Sequence, residues 1–580
     1  MERSETEVRE RCREHFRKIY GRRSVPKSMD RLTSLLQKYN FSFNGSDDSP
    51  ELWTHKDHIL ITYADMVRSD VDDEQTHMGK LHQFLNERLR GVVSSVHILP
   101  FFPYSSDDGF SIIDYRQVDE QKGTWGDVSR IGKDFRLMAD MVINHTSRFS
   151  PWFRKFLKRE IPFDDYYMEV EKGADLSIVV RPRSSPVITK VQTESGSTRV
   201  WTTFSPDQVD VNFSNPDVFF EFMDIFLFYI SKGVRVIRLD AVAFIWKEPG
   251  TPAIHMPQTH EIVKLYRTVV ENYAHDVTLI TETNVPHKEN VSYFGEGDEA
   301  HMVYQFSLPP LLLHALLNGN ASHLTRWASS LQQLPGGCTY FNFTSSHDGI
   351  GVRPLEGLIP EVEFYDLVRR IEESGGLVSY RERADGTRTP YELNTTYFDA
   401  FAGAEGGEEL QKQRYFCSQL VMLSLQGVPG IYMHNLLGSR NYNEGVKLTG
   451  SYRTINRQKF DYSELNILLN QEGGLTKEIF EWYKNVMQIR AEHPAFHPLG
   501  NQEVYNLDER LFTLVRSDTR GREKILVVGN LSGDRVAANT SRSGLLARED
   551  GNYRDVLTGE EFAGGGEIEL EPYRVVWLKV

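Results

Sequence analysis

Two hydrophobic periodicities divide the chain. In the first 56 residues apolar positions recur at helical spacing: Val8, Cys12, Phe16 and Ile19 share one stripe, and Met29, Leu32, Leu35, Leu36 and Tyr39 another. They predict a helical extension (1–56), interrupted by the turn-forming run Asn44-Gly-Ser-Asp-Asp-Ser-Pro50. From residue 57 short apolar runs alternate with helix-patterned segments. His58 to Tyr63, Val92 to Leu99, Phe135 to Ile143, Val234 to Asp240, Val277 to Thr281, Tyr340 to Thr344 and Val428 to Met433 read as strands. Leu81 to Leu89, Phe219 to Ser231 and Glu261 to Tyr273 read as helices. Such alternation predicts an α/β fold with a parallel sheet. Polar residues recur at the C-terminal ends of the strands, which favours a closed (β/α)8 TIM barrel over 57–501. Two irregular stretches, about 146–216 and 350–400, read as insertions, and long insertions in a compact domain are usually functional. Beyond 502 the pattern becomes all-β. Leu511 to Val515, Lys524 to Val528 and Arg574 to Leu578 are separated by turns such as Ser532-Gly-Asp534 and Gly564-Gly-Gly566. They predict a small antiparallel, sandwich-like domain over 502–580.

Composition narrows the function classes. The 580 residues carry a net charge of −15 and no basic run able to track a phosphate backbone, which argues against nucleic-acid binding. The longest apolar run, Val218 to Ile230, is broken by Glu221 and Asp224, so no membrane span is expected. The three cysteines, Cys12, Cys338 and Cys417, are far apart and form neither a metal spacing nor a disulfide framework. With the charged start Met-Glu-Arg-Ser-Glu, they point to a cytoplasmic protein. No glycine-rich phosphate loop followed by Lys-Ser/Thr is present, so neither a nucleotide nor any other cofactor is expected.

The chemistry lies at the strand ends. Val234-Arg-Val-Ile-Arg238-Leu-Asp240 puts Arg238 and Asp240 on the same face of one strand, a costly pair to bury without a use. Asp140 to His145, Glu282 and His347-Asp348 occupy the same register of the alternation on three other strands. A barrel would gather Asp240, Glu282 and Asp348 at one face. Three carboxylates there suit retaining glycosyl transfer: one attacks the anomeric carbon, and a second, about 5–5.5 Å away, serves as acid and then base. Asp240 beside Arg238 suits the nucleophile, because a neighbouring cation lowers a carboxylate pKa. Glu282, with no charged neighbour in sequence, suits the acid/base, which needs a raised one. Asp348 can grip hydroxyls as the sugar ring flattens, and His145 and His347 can hydrogen-bond them.

Asp140-Met-Val-Ile-Asn-His145, Gly233 to Ala241, Thr281-Glu282 and Ser346-His-Asp348 resemble, in order and spacing, the four signature regions of the α-amylase family, glycoside hydrolase family 13. Asp207-Gln-Val-Asp-Val-Asn212 is similar to the family's extra region after the third strand. The resemblance implies Asp240 as nucleophile, Glu282 as acid/base and Asp348 as transition-state stabiliser. Phe101-Phe-Pro-Tyr-Ser-Ser-Asp107-Asp-Gly-Phe110, Leu308 to Ala315 and Arg453-Thr-Ile-Asn-Arg457 look like the sucrose phosphorylase group within it. By that likeness Asp107 and Arg457 would contact the glucosyl group and Phe110 would form a platform for its ring. Arg183, in Arg181-Pro-Arg183, would lie by acceptor and phosphate. These enzymes transfer a glucosyl group reversibly between phosphate and an acceptor without metal.

Three departures bear on the acceptor. Asn284 stands where sucrose phosphorylases have His, Phe244 where they have Tyr, and they lack so long an N-terminal extension. Glu282-Thr-Asn-Val-Pro-His287, Thr389-Pro-Tyr-Glu-Leu-Asn394 and Arg457-Gln-Lys-Phe460 look more like the glucosylglycerate phosphorylases of the same group. The expected partners are then small molecules: an α-glucoside, inorganic phosphate, glucose 1-phosphate and glycerate. Arg381, Arg383 and Arg388 offer charges for an anionic acceptor. Phosphorolysis of sucrose, sucrose 6′-phosphate or glucosylglycerol is the alternative, and an α-glucosidase or transglucosidase of the family a further one, since only the acceptor differs. Asn144 matches a calcium position of amylases, but one Asn makes no site. The sequence leaves the oligomeric state open and admits a homodimer.

Overall fold

The structure is a computed structural model that describes residues 4–45, 51–70, 74–183, 185–382, 387–403, 406–540, 552–563 and 567–580. Part of the Asn44–Pro50 turn, Arg383 and the Gly564–Gly566 turn lie outside the described residues.

Eight strands form a closed parallel barrel: β1 (Ile59–Thr62), β2 (Ser95–Ile98), β3 (Arg136–Val142), β4 (Val234–Asp240), β5 (Thr278–Thr281), β6 (Met302–Tyr304), β7 (Thr339–Asn342) and β8 (Val428–Tyr432). Each pairs with the next in sequence and β8 closes on β1. Seven of these strands are the apolar runs read from sequence. The sixth, Met302-Val-Tyr304, has only three residues and lacks a run long enough to stand out. The register sets Asp140 of β3 and Ile280 of β5 on either side of Arg238. Because side chains alternate along a strand, Arg238 and Asp240 both point inward at the top of the barrel. Helix Pro216–Ser231, opened by an Asn215 cap and a proline at its start, is buried on almost every face and leads through Gly233 into β4. Gly233 has φ +99°, a conformation that suits glycine.

Two N-terminal helices, Glu5–Tyr20 and Val25–Lys38, lie against the outside of the barrel helices. A capping box between Ser4 and Glu7 starts the first. Phe16 meets Phe219 and Phe220 at centroid distances of 5.8 and 5.7 Å. His15 and Lys18 bind Glu261 of helix Pro257–Tyr273, and Lys38 binds Asp224.

Both insertions are more regular than the sequence suggests. The first contains the hairpin Ile188–Thr193/Gly196–Trp201 and a short strand, Gln208–Asp210, paired with His145–Ser147. The second contains helix Glu361–Glu373 and the hairpin Leu377–Glu382/Arg388–Asn394, which Ile350–Gly351 extends to three strands. The C-terminal region packs a six-stranded antiparallel sheet against a two-stranded one, Val536–Asn539 with Glu567–Leu570. Trp577 anchors it to the barrel by donating from Nε1 to Ser424 Oγ (2.8 Å). Among the described residues no helix is long and apolar enough to cross a membrane.

Candidate active site

β4 ends in a largely buried charge array. Arg238 Nη1 donates to Asp140 Oδ1 (2.5 Å) and to Asp240 Oδ1 (2.6 Å). Its Nη2 lies 3.9 Å from Glu282 Oε2. Asp240 and Glu282 therefore lean on one guanidinium. The backbone amide of Ala241, held at φ +51°, donates to the same Glu282 oxygen (3.1 Å). Behind them His97 Nε2 pairs with Asp140 Oδ2 at 2.7 Å. The guanidinium also sits near the Phe110 and Tyr304 rings, 5.7 and 5.4 Å from their centroids.

Burial dominates the electrostatics. It pushes Glu282 up to about 7, with Arg238 opposing and the charges of Asp240 and Asp348 adding to the rise. Asp240 is also raised, again by burial, although Arg238 opposes it directly. Arg238 alone, considered from sequence, predicts a lowered Asp240. Desolvation at the barrel mouth reverses that sign. The closer contact with Arg238 still favours ionisation of Asp240 ahead of Glu282. Asp348 differs: burial would raise it, but Arg453, His347 and Arg457 outweigh burial and hold it well below the usual carboxylate range.

Asp348 is gripped from the far side. Arg453 Nη1 lies 2.5 Å from Asp348 Oδ1, and its Nη2 and Nε fork onto Glu392 at 2.7 and 3.1 Å. Glu392 comes from the second insertion's hairpin and is buried. Arg457 Nε donates to the His347 carbonyl (2.7 Å) and its Nη1 is 3.6 Å from Asp107 Oδ1. The His347 ring stacks on Phe110, with centroids 4.5 Å apart and planes 2° from parallel. Burial lowers His347 to about 3, so it stays neutral at pH 7.

Asp240, Glu282 and Asp348 line one cavity together with Phe110, His347, Glu392 and Arg453. Its walls include Asp107, Phe110, His145, Arg183, Asp240, Glu282, Asn284, His347 and Asp348, nine residues singled out from sequence. The cavity opens outward past Arg183, Phe204, Glu392 and Arg453 into a wider mouth.

The chain matches the α-amylase catalytic-domain model over residues 89–349. It is 46% identical to a glucosylglycerate phosphorylase of Spirochaeta thermophila, over 98% of each chain. It is 30% identical to a sucrose phosphorylase of Bifidobacterium adolescentis, over 75% of this chain and 85% of that one. The chain belongs to the α-amylase family. Among solved structures it resembles sucrose 6F-phosphate phosphorylase from Thermoanaerobacter thermosaccharolyticum, with TM-score 0.71 and 24% identity over 82% of this chain and 94% of that one.

Within this α-amylase-family barrel, three residues singled out from sequence stand behind the wall. Arg238 is beneath the cavity floor, as its two carboxylate bonds require. Arg457 backs Asp107 and His347. Phe244 does not line the cavity: its ring packs edge-on against Phe204, which does, with centroids 5.5 Å apart. Of the second insertion's arginines singled out from sequence, the two described ones also miss the cavity. Arg381 pairs with Glu356 at 2.7 Å, and Arg388 is exposed at the start of its strand. The amide oxygen of Asn144 is taken by the buried ammonium of Lys247 (2.7 Å), which also reaches Asp210 (3.0 Å) and the Phe244 carbonyl (2.6 Å). A cation already occupies the position that the calcium comparison points to. Among the described residues no cluster of His, Cys, Asp and Glu could hold a metal ion.

Six wall residues had no role assigned from sequence: Phe204, Gln208, Ala241, Tyr391, Glu392 and Arg453. Gln208 bonds His145 Nε2 (3.1 Å), and Tyr391 lies under Arg183, 5.7 Å from its guanidinium. Phe204, Gln208, Tyr391 and Glu392 come from the insertions, where no strand periodicity announces an inward-facing position.

Proposed function

We propose that this chain is a retaining α-glucoside phosphorylase that transfers a glucosyl group from glucosylglycerate to inorganic phosphate, giving α-glucose 1-phosphate and glycerate. The observation that carries the reading is the shared guanidinium. Asp240 and Glu282 both rest against Arg238, one directly bonded and the other pushed to about 7. That difference divides an ionised nucleophile from a protonated acid at neutral pH.

In the first half-reaction Asp240 attacks the anomeric carbon. The bond to the glycerate oxygen breaks, and Glu282 gives that oxygen its proton. A covalent glucosyl–Asp240 ester remains. In the second half, a phosphate oxygen attacks the same carbon, Glu282 accepts its proton, and Asp240 leaves as a carboxylate. Two inversions give net retention. Asp348 is kept ionised by Arg453, which suits it to hold ring hydroxyls while positive charge develops. Asp107, backed by Arg457, is assigned to the glucosyl hydroxyls, with His145 and His347, and Phe110 to the platform under the ring.

Arg183 and Asn284 are assigned to the acceptor and phosphate side, next to the mouth. The amide oxygen of Asn284 is buried without a hydrogen-bond partner among the described residues, so it can accept from a glycerate hydroxyl. Three buried, unpaired cysteines support a reducing, cytoplasmic setting. The test runs synthesis from α-glucose 1-phosphate with glycerate, fructose, fructose 6-phosphate and glycerol in parallel. Phosphate release is expected with glycerate above all others. Preference for another acceptor would transfer the assignment to that one, and release with none would reject phosphorolysis.

A further inference from the structure

Asp107 sits on a turn of left-handed backbone. Asp107, Asp108 and Gly109 have φ of +52°, +50° and +115° in succession. Left-handed backbone is unfavourable for an ordinary L-residue, and aspartate is among the more tolerant. Gly109 leaves no alternative, because a Cβ there would stand 2.7 Å from the Pro100 carbonyl oxygen. Two adjacent acids are thus presented from a backbone that needs support.

The turn's own hydrogen bonds and the Asp207 carboxylate, which accepts from Ser105, Ser106 and Ser111, brace the flanks; the two acids themselves meet two basic residues two positions apart. Arg457 faces Asp107, and Lys459 Nζ reaches Asp108 Oδ2 at 3.4 Å and Asp65 Oδ1 at 3.3 Å. The Lys459 ammonium is almost fully buried and lies 3.2 Å from the Tyr63 ring centroid. Its segment is fixed in turn: the Phe460 amide donates to the Met66 carbonyl (3.0 Å), and Phe460–Asp461 pairs with Val67–Arg68 just after β1. Lys122 closes the underside by donating to the Pro100 carbonyl (3.2 Å). Burial would raise the Asp108 carboxyl, but Lys459, Arg457 and Lys122 hold it at about 2. A buried charge cluster is weak evidence of a stabilising role, since apolar packing does as well. Its position directly behind Asp107 gives it a different use.

We infer that Asp108, gripped by Lys459, is a positioning residue that fixes the Asp107 carboxylate at the glucosyl end of the cavity. Binding of glucose 1-phosphate then depends on a pair outside the cavity wall. The inference rests on the proposed reading of Asp107 as a ligand of the glucosyl hydroxyls.

Steady-state kinetics with glucose 1-phosphate test it. Asp108→Asn keeps the shape and the tolerance of left-handed backbone while removing the charge. Lys459→Met keeps the stem over Tyr63 and removes the ammonium. Each is expected to raise KM for glucose 1-phosphate about tenfold while kcat falls less than threefold, and Lys459→Arg is expected to recover most of the loss. The double variant should be within about twofold of the worse single one, because both remove the same contact. A KM within twofold of wild type in Asp108→Asn or in Lys459→Met overturns the inference, as do multiplicative effects in the double variant. Asp107→Ala separates the causes. If it raises KM while Asp108→Asn does not, the clamp is wrong and the glucosyl reading stands. If it leaves KM unchanged, the glucosyl reading itself falls.

Discussion

Glu282 and Asp240 touch the same guanidinium, yet they are suited to opposite protonation states. Arg238 bonds Asp240 directly and stands 3.9 Å from Glu282, whose carboxyl rises to about 7. A raised carboxyl is bound more tightly to its proton in the folded state than in the unfolded one. Stability therefore declines as pH rises from the unfolded value near 4.3 to the folded value near 7, and the loss is complete above it. Glu282→Gln removes that loss. It should be stabilised by on the order of 2 kcal/mol at pH 8 and by almost nothing at pH 4, measured by denaturant unfolding. Its kcat should fall about a thousandfold. An inactive variant with unchanged stability at pH 8 would contradict the buried, proton-holding Glu282. In the wild type, kcat/KM for the glucoside should fall about tenfold per pH unit above roughly 7, as the acid ionises. Gly351 adds a steric test. A Cβ at this position would stand 2.4 Å from the Asn284 amide. Gly351→Ala should therefore raise KM for glycerate at least fivefold and leave KM for glucose 1-phosphate within twofold, read from initial rates. These side chains were legible in sequence to different degrees. Asp240, Glu282 and Asp348 end strands whose apolar runs announce them. Glu392 lies on a hairpin, and its fork onto Arg453 joins residues 61 positions apart. No local pattern predicts such a contact.

At the scale of elements, the alternation of strands and helices carried most of the fold. β4 is buried at six of its seven residues, with Val234, Val236, Ile237 and Leu239 as its apolar positions, as a strand covered on both faces must be. β6 has three residues and escaped, because its burial is imposed by neighbours already in place. The insertions were legible as interruptions but not as hairpins. The N-terminal helices were legible from their stripes, and their docking site was not. They pack on the barrel's outer helices through Phe16, which is fully buried against Phe219 and Phe220. Phe16→Ala should cost about 3–5 kcal/mol in urea unfolding, with KM for glucose 1-phosphate unchanged. A cost below 0.5 kcal/mol would mean that the helix is not seated there. Lys247, in the segment after β4, is the corresponding brace for the first insertion. Lys247→Met should destabilise the protein by about 3–5 kcal/mol, because it leaves Asp210 buried without its cation.

Across the whole molecule, one barrel end collects groups from five of the eight strand ends and both insertions, and the outer mouth is walled by Arg183 and Arg453. The net charge of −15 makes these arginines a local exception, which suits an anionic acceptor and phosphate reaching a site in an otherwise acidic protein. The central claim is phosphate-dependent transfer with retention. It is tested most directly by incubating the wild-type chain with glucosylglycerate, with and without inorganic phosphate, and following the anomeric product by NMR. The account predicts glycerate and α-glucose 1-phosphate in equal amounts, with free glucose a minor product even when phosphate is absent. Formation of the β-anomer, or release of free glucose at the same rate whether or not phosphate is present, would contradict it.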